Sequence, residues 1–379
     1  MTEWNEDQRA LRAAVEALGP RLGEGHIERD PGGGFAAGAW KLLSETGLFA
    51  LPFAGEHGGL RQSLPTTMYV LEGLGRSCRD GGLSFSASTH LVSTGVPLQR
   101  FGSEELRARY LPRVCDGSLI GAHAITEPEG GSDVMAMRTA AERDGDHFVL
   151  SGTKAFVTNG PIADVFVVYA RTGQRGSPTG LTAFLVDRET PGLGVGRPIA
   201  KMGLRTSPLS ELFLDGCRVP DSHVLGHVGS GFLILDHVMR WEILCSFVIN
   251  LGEMEHRLQR CIDYARTRTQ FGQPIGSYQS IANHIVDMKV SVETSRKWLY
   301  DTGRKLADGK DVTVDVAISK LLTSESNVST ALAAVQIFGG YGYTVEYGLE
   351  KDLRNAVAGT IYSGTSEIQR QRIAKLIGL

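Results

Sequence analysis

The chain has no uninterrupted apolar run of about 18 residues, the length an α-helix needs to cross a bilayer, and so no membrane span is expected. It has no charge excess to spend on a polyanion: 39 Lys and Arg stand against 42 Asp and Glu, for a net charge of −3. Without a long basic run, this balance excludes a generic nucleic-acid binder. Cysteine is scarce. Cys78, Cys115, Cys217, Cys245 and Cys261 are scattered, odd in number and form no Cys-x-x-Cys pair. Such spacing supports neither a disulfide framework nor a zinc site and suits packed, reduced thiols. The first residues, MTEWNEDQRALRAAVEAL, are acidic and amphipathic, with no basic segment leading into an apolar core. No secretion signal is expected there, and the expected location is the cytoplasm.

The 379 residues suit two or three packed units in one globular body. From Trp4 to about Gly117 the pattern is helical: Leu11, Val15 and Leu18 recur at helical spacing, and Trp40, Leu43 and Gly47 mark a second helix with its terminal Gly. Leu64–Gly75, His90–Gly102 and Glu104–Val114 continue in this mode, with breakers at Pro31–Gly34, Gly55–Gly59 and Gly81–Gly82. This first unit, 1–117, shows no obvious chemistry. Near Ser118 the period turns strand-like, with Val- and Phe-rich runs at Asp164–Ala170 and Leu181–Val186 and turns at Asp144-Gly145, Gly173–Gly180 and Pro191–Gly194. Short consecutive strands without intervening helices predict an antiparallel β unit over 118–226. No Gly-x-Gly-x-x-Gly follows a strand, which argues against a nicotinamide-binding Rossmann unit. After Gly231 helical periodicity returns. Phe232 to about Arg266 lacks proline and predicts one helix about 50 Å long, and Ser277–Leu306 and Val312–Phe338 predict two more. The last unit, 227–379, is therefore expected to be a helical bundle, and the fold class α+β.

Two places carry candidate chemistry. Gln336–Arg372 contains a Gly cluster, Gly339, Gly340 and Gly342, and a polar turn, Ser363–Ser366, that opens a terminal helix. Unpaired backbone N–H groups and hydroxyls at such a turn can hold a phosphate or a negatively polarised ring edge, and they serve equally as a plain helix cap. The second place is Glu242. On the long helix, Leu235, Val238, Met239, Cys245, Ser246 and Ile249 form an apolar stripe with Glu242 in its middle. A carboxylate facing a core side is suited to taking up a proton. The alternative is that it pairs with Arg240 or with a basic group of another helix.

Gln336–Gly342 (QIFGGYG) and Ile361–Gln369 (IYSGTSEIQ) resemble the Q-I-x-G-G-x-G and I-Y-E-G-T-S-x-I-Q motifs of the acyl-CoA dehydrogenase superfamily. His123–Asp133 (HAITEPEGGSD) is similar to that family's C-x-T-E-x-x-x-G-S-D motif. Phe156-Val157-Thr158 stands where the family has Trp-x-Thr, and Arg268–Gly272 resembles R-x-x-F-G. The resemblance spans essentially the whole chain. It implies an acyl-CoA dehydrogenase-like fold: an N-terminal α-helical domain, a middle antiparallel β domain and a C-terminal four-helix bundle. It implies FAD as cofactor, no metal, and a homo-oligomer, most often a tetramer. By position it places His123, Ile125 and Thr126 against the isoalloxazine and its phosphates, and Ser132 beside the pyrophosphate or the substrate's thioester arm. Phe156 would offer a stacking face and Thr158 a hydroxyl toward the flavin, while Arg268, with Gln270 and Phe271, would bind the pyrophosphate of the neighbouring subunit's FAD. Gln279, Gln336, Gly340, Thr365 and Glu367 complete the positions that line the cofactor.

The family match departs at one position. Where many members carry their catalytic Glu, this chain has Ser363, and a lone hydroxyl cannot serve as base toward a carbon acid. In relatives such as isovaleryl-CoA dehydrogenase the base comes from the helix position that matches Glu242. Arg240-Trp241-Glu242, Ile361–Ser366, Asn159–Asp164 (NGPIAD) and Leu251–Leu258 (LGEMEHRL) also resemble the flavin-dependent prolyl-carrier-protein dehydrogenases, although Ile243 replaces an Arg usual in relatives. The resemblance thus implies α,β-dehydrogenation of an acyl or aminoacyl thioester on a carrier protein or CoA, with prolyl on a carrier first in line. Glu242 would be the base. Ser132, Arg240, Trp241, Tyr362, Ser363 and Gly364 would surround the substrate, the Gly364 N–H polarising its carbonyl. Other readings are a short- or branched-chain acyl-CoA dehydrogenase, a flavin oxidase or monooxygenase, and a non-catalytic flavin-bound carrier-protein partner.

Overall fold

A computed structural model describes residues 3–379. Its first helix, α1 (Glu6–Leu22), starts where Asn5 and Gln8 exchange side-chain-to-backbone hydrogen bonds of 2.8 and 2.9 Å, a capping box. Next come α2 (His26–Arg29), α3 (Ala37–Ser44) and α4 (Leu64–Ser77), the last capped by Ser63. The glycine pair expected to break the chain instead opens α5 (Gly81–Thr89). Asp80 caps that helix through the Leu83 N–H at 3.1 Å, and bare backbone is required because a Cβ on Gly82 would lie 2.7 Å from the Ser207 nitrogen. A π-helical turn, His90–Gly95, joins α5 to α6 (Val96–Phe101), and α7 (Glu104–Cys115), capped by Ser103, ends the helical unit.

The middle of the chain forms β1 (Gly121–Ala124), β2 (Ala140–Asp144), β3 (His147–Thr158), β4 (Val165–Arg171), β5 (Leu181–Asp187), β6 (Leu193–Val195), β7 (Leu209–Pro220) and β8 (Val224–Leu225). Along the sheet the order is β6-β7-β3-β2-β4-β5-β8, with β1 paired to β4. Five of the ladders in this sheet are antiparallel, as expected. The expectation of a wholly antiparallel sheet is corrected by β1, which runs parallel to β4 with His123 opposite Val167, and by a single parallel pair, Ala140 with Arg171. The intervening β2–β3 hairpin supplies the long connection that parallel pairing requires.

Alternation along β4 gives the sheet two buried faces. Phe166, Val168 and Ala170 join a core inside the β unit, whereas Val165, Val167 and Tyr169 face the main core with Leu235, Val238 and Leu244.

The rest is helical: α8 (Gly231–Thr267), a hairpin of β9 (Thr269–Gln270) and β10 (Gln273–Pro274), α9 (Gln279–Ala307), α10 (Thr313–Phe338), α11 (Gly340–Tyr343), α12 (Leu349–Ala358) and α13 (Ser366–Leu376). Every residue from Glu242 to Ile249 is buried, so the middle of α8 is enclosed on all sides, as a helix at the centre of a fold must be. It packs against α4 at backbone distance: a Cβ on Gly252 would lie 2.6 Å from the Arg76 nitrogen. All five cysteines are buried and unpaired. Among the described residues no helix is long and apolar enough to cross a membrane.

Candidate active site

Glu242 sits in the enclosed stretch of α8 at 9% exposure, among buried Leu235, Val238, Cys245 and Ile249. Its carboxylate gathers one donor from each of the three parts of the chain. Ser363 Oγ, in the turn before α13, donates to Oε1 at 2.5 Å. Ser93 Oγ, in the π-helical turn, donates to Oε2 at 3.4 Å, and His123 Nε2, on β1, stands 3.4 Å from the same oxygen. The sequence alternative of a pair with Arg240 does not occur: Arg240 binds Asp236, one helical turn back, at 2.7 Å. Among the described residues the one basic side chain within 4 Å of the Glu242 carboxylate is His123. Burial lowers the proton affinity of that imidazole, and the nearby Glu242 charge only partly restores it.

The turn that carries Ser363 is held by its backbone, independently of that side chain. Ser363 has φ +54°, a left-handed conformation that a non-glycine residue keeps only when its surroundings enforce it. Gln369 Nε2 donates to the Ser363 and Gly364 carbonyls at 3.0 and 3.4 Å, and the Ser366 N–H donates to the Thr360 carbonyl at 2.9 Å. Thr365 caps α13 through the Ile368 N–H at 3.2 Å. Beside the turn, the Tyr362 ring lies between Phe85 and Phe247, with centroids 4.7 and 5.3 Å away, and its hydroxyl donates to Asn250 Oδ1 at 3.1 Å. Burial, with the Glu253 and Glu242 charges, raises the proton affinity of this phenol and keeps it neutral. The surroundings of Glu242 are therefore an aromatic cluster beside one hydrogen-bonded carboxylate. Trp241 is half-buried against the main core.

The N-terminal unit, read from sequence as empty of chemistry, thus supplies Ser93 and Phe85. Nothing in the local sequence signals the π-helical turn. Two further residues without an assigned role stabilise the β side of the site. Lys154 Nζ is fully buried and donates to the Ile125 carbonyl at 3.1 Å and to Glu127 Oε1 at 3.0 Å. Glu127 also accepts from the Arg138 and Thr139 N–H groups at 2.7 and 2.8 Å and from Thr139 Oγ1 at 2.5 Å. This clamp fixes Ile125 and Thr126 next to the bulge of β3, where Phe156 has φ +55° and is 62% exposed. Thr158, half-buried, pairs with Leu209 two residues on, and Ser132 is exposed in the β1–β2 loop.

The remaining candidates lie apart from Glu242. Arg268 and Gln270 are exposed at the end of α8 and in β9, and Phe271, in the hairpin turn, is 93% exposed. With Tyr264, Gly340 and Tyr341 they line a groove of about 810 Å³. The Arg268 guanidinium lies 5.7 Å over the Tyr341 ring and has no carboxylate partner among the described residues. Gln336, at the end of α10, Gln279, at the start of α9, and Glu367, in the first turn of α13, are exposed. Among the described residues no hydrogen bond or ion pair joins this group to Glu242 or Ser363.

Three family models match the chain in order: the acyl-CoA dehydrogenase N-terminal domain over residues 5–118, the middle domain over 122–217 and the C-terminal domain over 229–378. An L-prolyl-[peptidyl-carrier protein] dehydrogenase from a Serratia species is 40% identical over 340 residues, covering 90% of this chain and 88% of that one. Among solved structures, the prolyl acyl carrier protein oxidase AnaB superimposes with a TM-score of 0.97 at 40% identity, over 100% of both chains. PigA with FAD and proline superimposes with a TM-score of 0.97 at 36% identity, over 100% of this chain and 99% of that one.

Proposed function

Because the chain belongs to the acyl-CoA dehydrogenase family, we propose that it is an FAD-dependent dehydrogenase of an aminoacyl thioester, prolyl on a peptidyl carrier protein, with Glu242 as its base. The observation that carries this reading is the buried carboxylate of Glu242, hydrogen-bonded by Ser363 from the turn where many family members keep their acid. The 40% identity to a prolyl-carrier-protein dehydrogenase supports the substrate.

The residues present fit FAD. The exposed Phe156 ring at the β3 bulge offers a stacking face beside Thr158, and the unpaired Arg268 guanidinium, with Gln270 and the open backbone at Gly339 and Gly340, suits a diphosphate. When bound, FAD supplies the two-electron acceptor for the hydride that leaves the substrate's β-carbon. The chain's own residues handle the proton. Glu242 removes it from the α-carbon, and the Ser363 hydroxyl orients the carboxylate. The Gly364 N–H has no protein acceptor among the described residues, which leaves it free to polarise the thioester carbonyl and acidify that α-proton. Half-buried Phe85 and Tyr362, backed by fully buried Phe247, offer the wall against which a compact apolar ring would pack. The groove that Arg268 lines does not include Glu242, which supports a homo-oligomer in which Arg268 serves the FAD of its neighbour.

In an anaerobic titration with prolyl-loaded carrier protein, Glu242→Gln should remain yellow and FAD-loaded but show no flavin bleaching. Ser363→Ala should slow bleaching by about ten- to a hundredfold without abolishing it, the scale of one hydrogen bond to a charged group. Undiminished bleaching in Glu242→Gln removes Glu242 from the mechanism. Bleaching by CoA thioesters in preference to the loaded carrier overturns the substrate and leaves the base standing.

A further inference from the structure

The two oxygens of Glu242 are held differently. Oε1 has the short bond from Ser363, while Oε2 faces Ser93 and His123, both at 3.4 Å. Two structural features direct these groups to it. On β1, Ala122 and Ala124 point into the core of the β unit, and alternation turns His123 toward α8. In the π-helical turn, His90 is fully buried, accepts from the Gly121 N–H at 3.1 Å through Nδ1 and donates from Nε2 to the Val114 carbonyl at 3.0 Å. Thr94 Oγ1 donates to the Ala122 carbonyl at 3.4 Å. The turn that carries Ser93 is therefore tied, through His90 and Thr94, to the same four-residue strand that carries His123. A π-helical turn inside an α-helix is rare and commonly marks a functional position.

The tautomer of His123 follows from its surroundings. Nδ1 is buried without a hydrogen-bond partner, and an N–H there would be an unsatisfied buried donor, which is costly. The proton therefore sits on Nε2, the nitrogen that faces Oε2. Burial holds the ring in its neutral form against the pull of Glu242, so the group presented to Oε2, 3.4 Å away, is an N–H. The other ionisable groups facing this carboxylate are Tyr169 of β4 and Tyr362, both of whose phenols are pushed up by burial and by the Glu242 charge, with Glu253 also acting on Tyr362.

We propose that Ser93 and His123 are positioning residues that pin one oxygen of Glu242 through a common mount on β1, so that the carboxylate meets the substrate's α-carbon in a single orientation. This rests on the reading of Glu242 as the base. Glu has three side-chain torsions, and a base free to rotate about them loses rate without losing substrate affinity. The Ser93 hydrogen bond, at 3.4 Å, is long, and His123 Nε2 stands at the same distance from Oε2 without yet aligning as a hydrogen-bond donor; such contacts tighten when substrate closes the site.

The test is anaerobic stopped-flow reduction of the FAD-loaded enzyme by prolyl-loaded carrier protein, with Glu242→Gln as reference. His123→Phe should slow flavin reduction at least about tenfold while half-saturation by substrate shifts less than about threefold, and an α-deuterated prolyl group should show a larger isotope effect than in the wild type. His123→Gln, which restores an N–H donor at similar reach, should recover the rate to within about threefold, and Ser93→Ala should fall between the two. Wild-type rates in both His123→Phe and Ser93→Ala, with Glu242→Gln inactive, overturn the proposal and leave the base assignment intact. Loss of FAD from His123→Phe also overturns the positioning role, in favour of direct flavin contact. An active Glu242→Gln removes the reading on which it rests.

Discussion

Replacing Lys154 by Met tests whether the buried clamp beneath the β1–β2 loop stabilises the fold and shapes the cofactor side of the site. Met keeps most of the side-chain volume and removes the ammonium, which leaves Glu127 with its three hydrogen bonds from Arg138 and Thr139 but no cation. Removing one partner of a buried ion pair costs about 3 kcal/mol or more. With an unfolding entropy of about 2.1 cal/mol/K per residue, a chain of 379 residues loses about 4 °C of Tm for that change. Glu127→Gln combined with Lys154→Met should recover most of the loss, because the uncompensated charge is then gone. Titration adds a second signature. Burial lowers the Lys154 ammonium to about 8, against the attraction of Glu127. Between that value and the unfolded value near 10.4, the unfolded chain binds the extra proton, so this residue adds stability as pH rises through that window. The Tm gap between wild type and Lys154→Met should therefore widen from pH 8 to pH 10. Differential scanning fluorimetry on FAD-loaded protein across that range measures both effects. A single variant within about 1 °C of wild type, or a gap that narrows with pH, refutes the reasoning.

Phe156→Ala should leave Tm nearly unchanged, since the ring is 62% exposed, while weakening FAD binding at least about tenfold through loss of a stacking face; fluorescence quenching of added FAD measures it, and unchanged affinity removes Phe156 from the cofactor site. Acid should destabilise the fold before carboxylates protonate. Burial lowers His90 to about 4, with the Val114 carbonyl acting in the opposite direction, so from pH 6.5 down to 4 the unfolded chain takes up a proton that the folded one refuses. Stability should fall by about 1.4 kcal/mol per pH unit from this residue alone, read as a shift of the urea midpoint between pH 7 and pH 5.5, and a flat profile there contradicts it.

What could be read from sequence was whatever repeats along one element. The stripe of Leu235, Val238, Cys245 and Ile249 predicted a buried face for Glu242, and the face is buried; the Thr365-Ser366 start of the last helix was visible as a cap. What could not be read was set by pairing between distant segments. Whether His123 faces α8 or the β core depends on how a four-residue strand registers against β4, and no pattern that short specifies register. Lys154 and Glu127 lie 27 residues apart and are separately unremarkable charges in a strand and a loop. Ser93 reaches Glu242 only because the helix locally adopts a π turn. Gly81 and Gly82 read as a break, because glycine's backbone cost is a local property and the close approach of Thr206 and Ser207 that favours it is not.

The distance between Ser363 and Glu242 explains why the loop carries a hydroxyl. The two side chains meet at 2.5 Å, in a pocket with no lysine or arginine paired to the carboxylate among the described residues. A second carboxylate at position 363 would reach the same space, and two like charges about 4 Å apart repel by about 4 kcal/mol at the dielectric of a partly buried site. One of the pair would then stay protonated, and the ionised base would be divided between helix and loop. Serine removes that competition and supplies the donor that an ionised carboxylate on α8 needs. The turn itself does not depend on the exchange, because Gln369 and the Ser366 N–H hold its backbone whichever side chain it bears. Helix acid and loop hydroxyl therefore form a complementary pair: Ser363→Glu alone leaves the site with a surplus charge, and Glu242→Gln alone leaves it without a base.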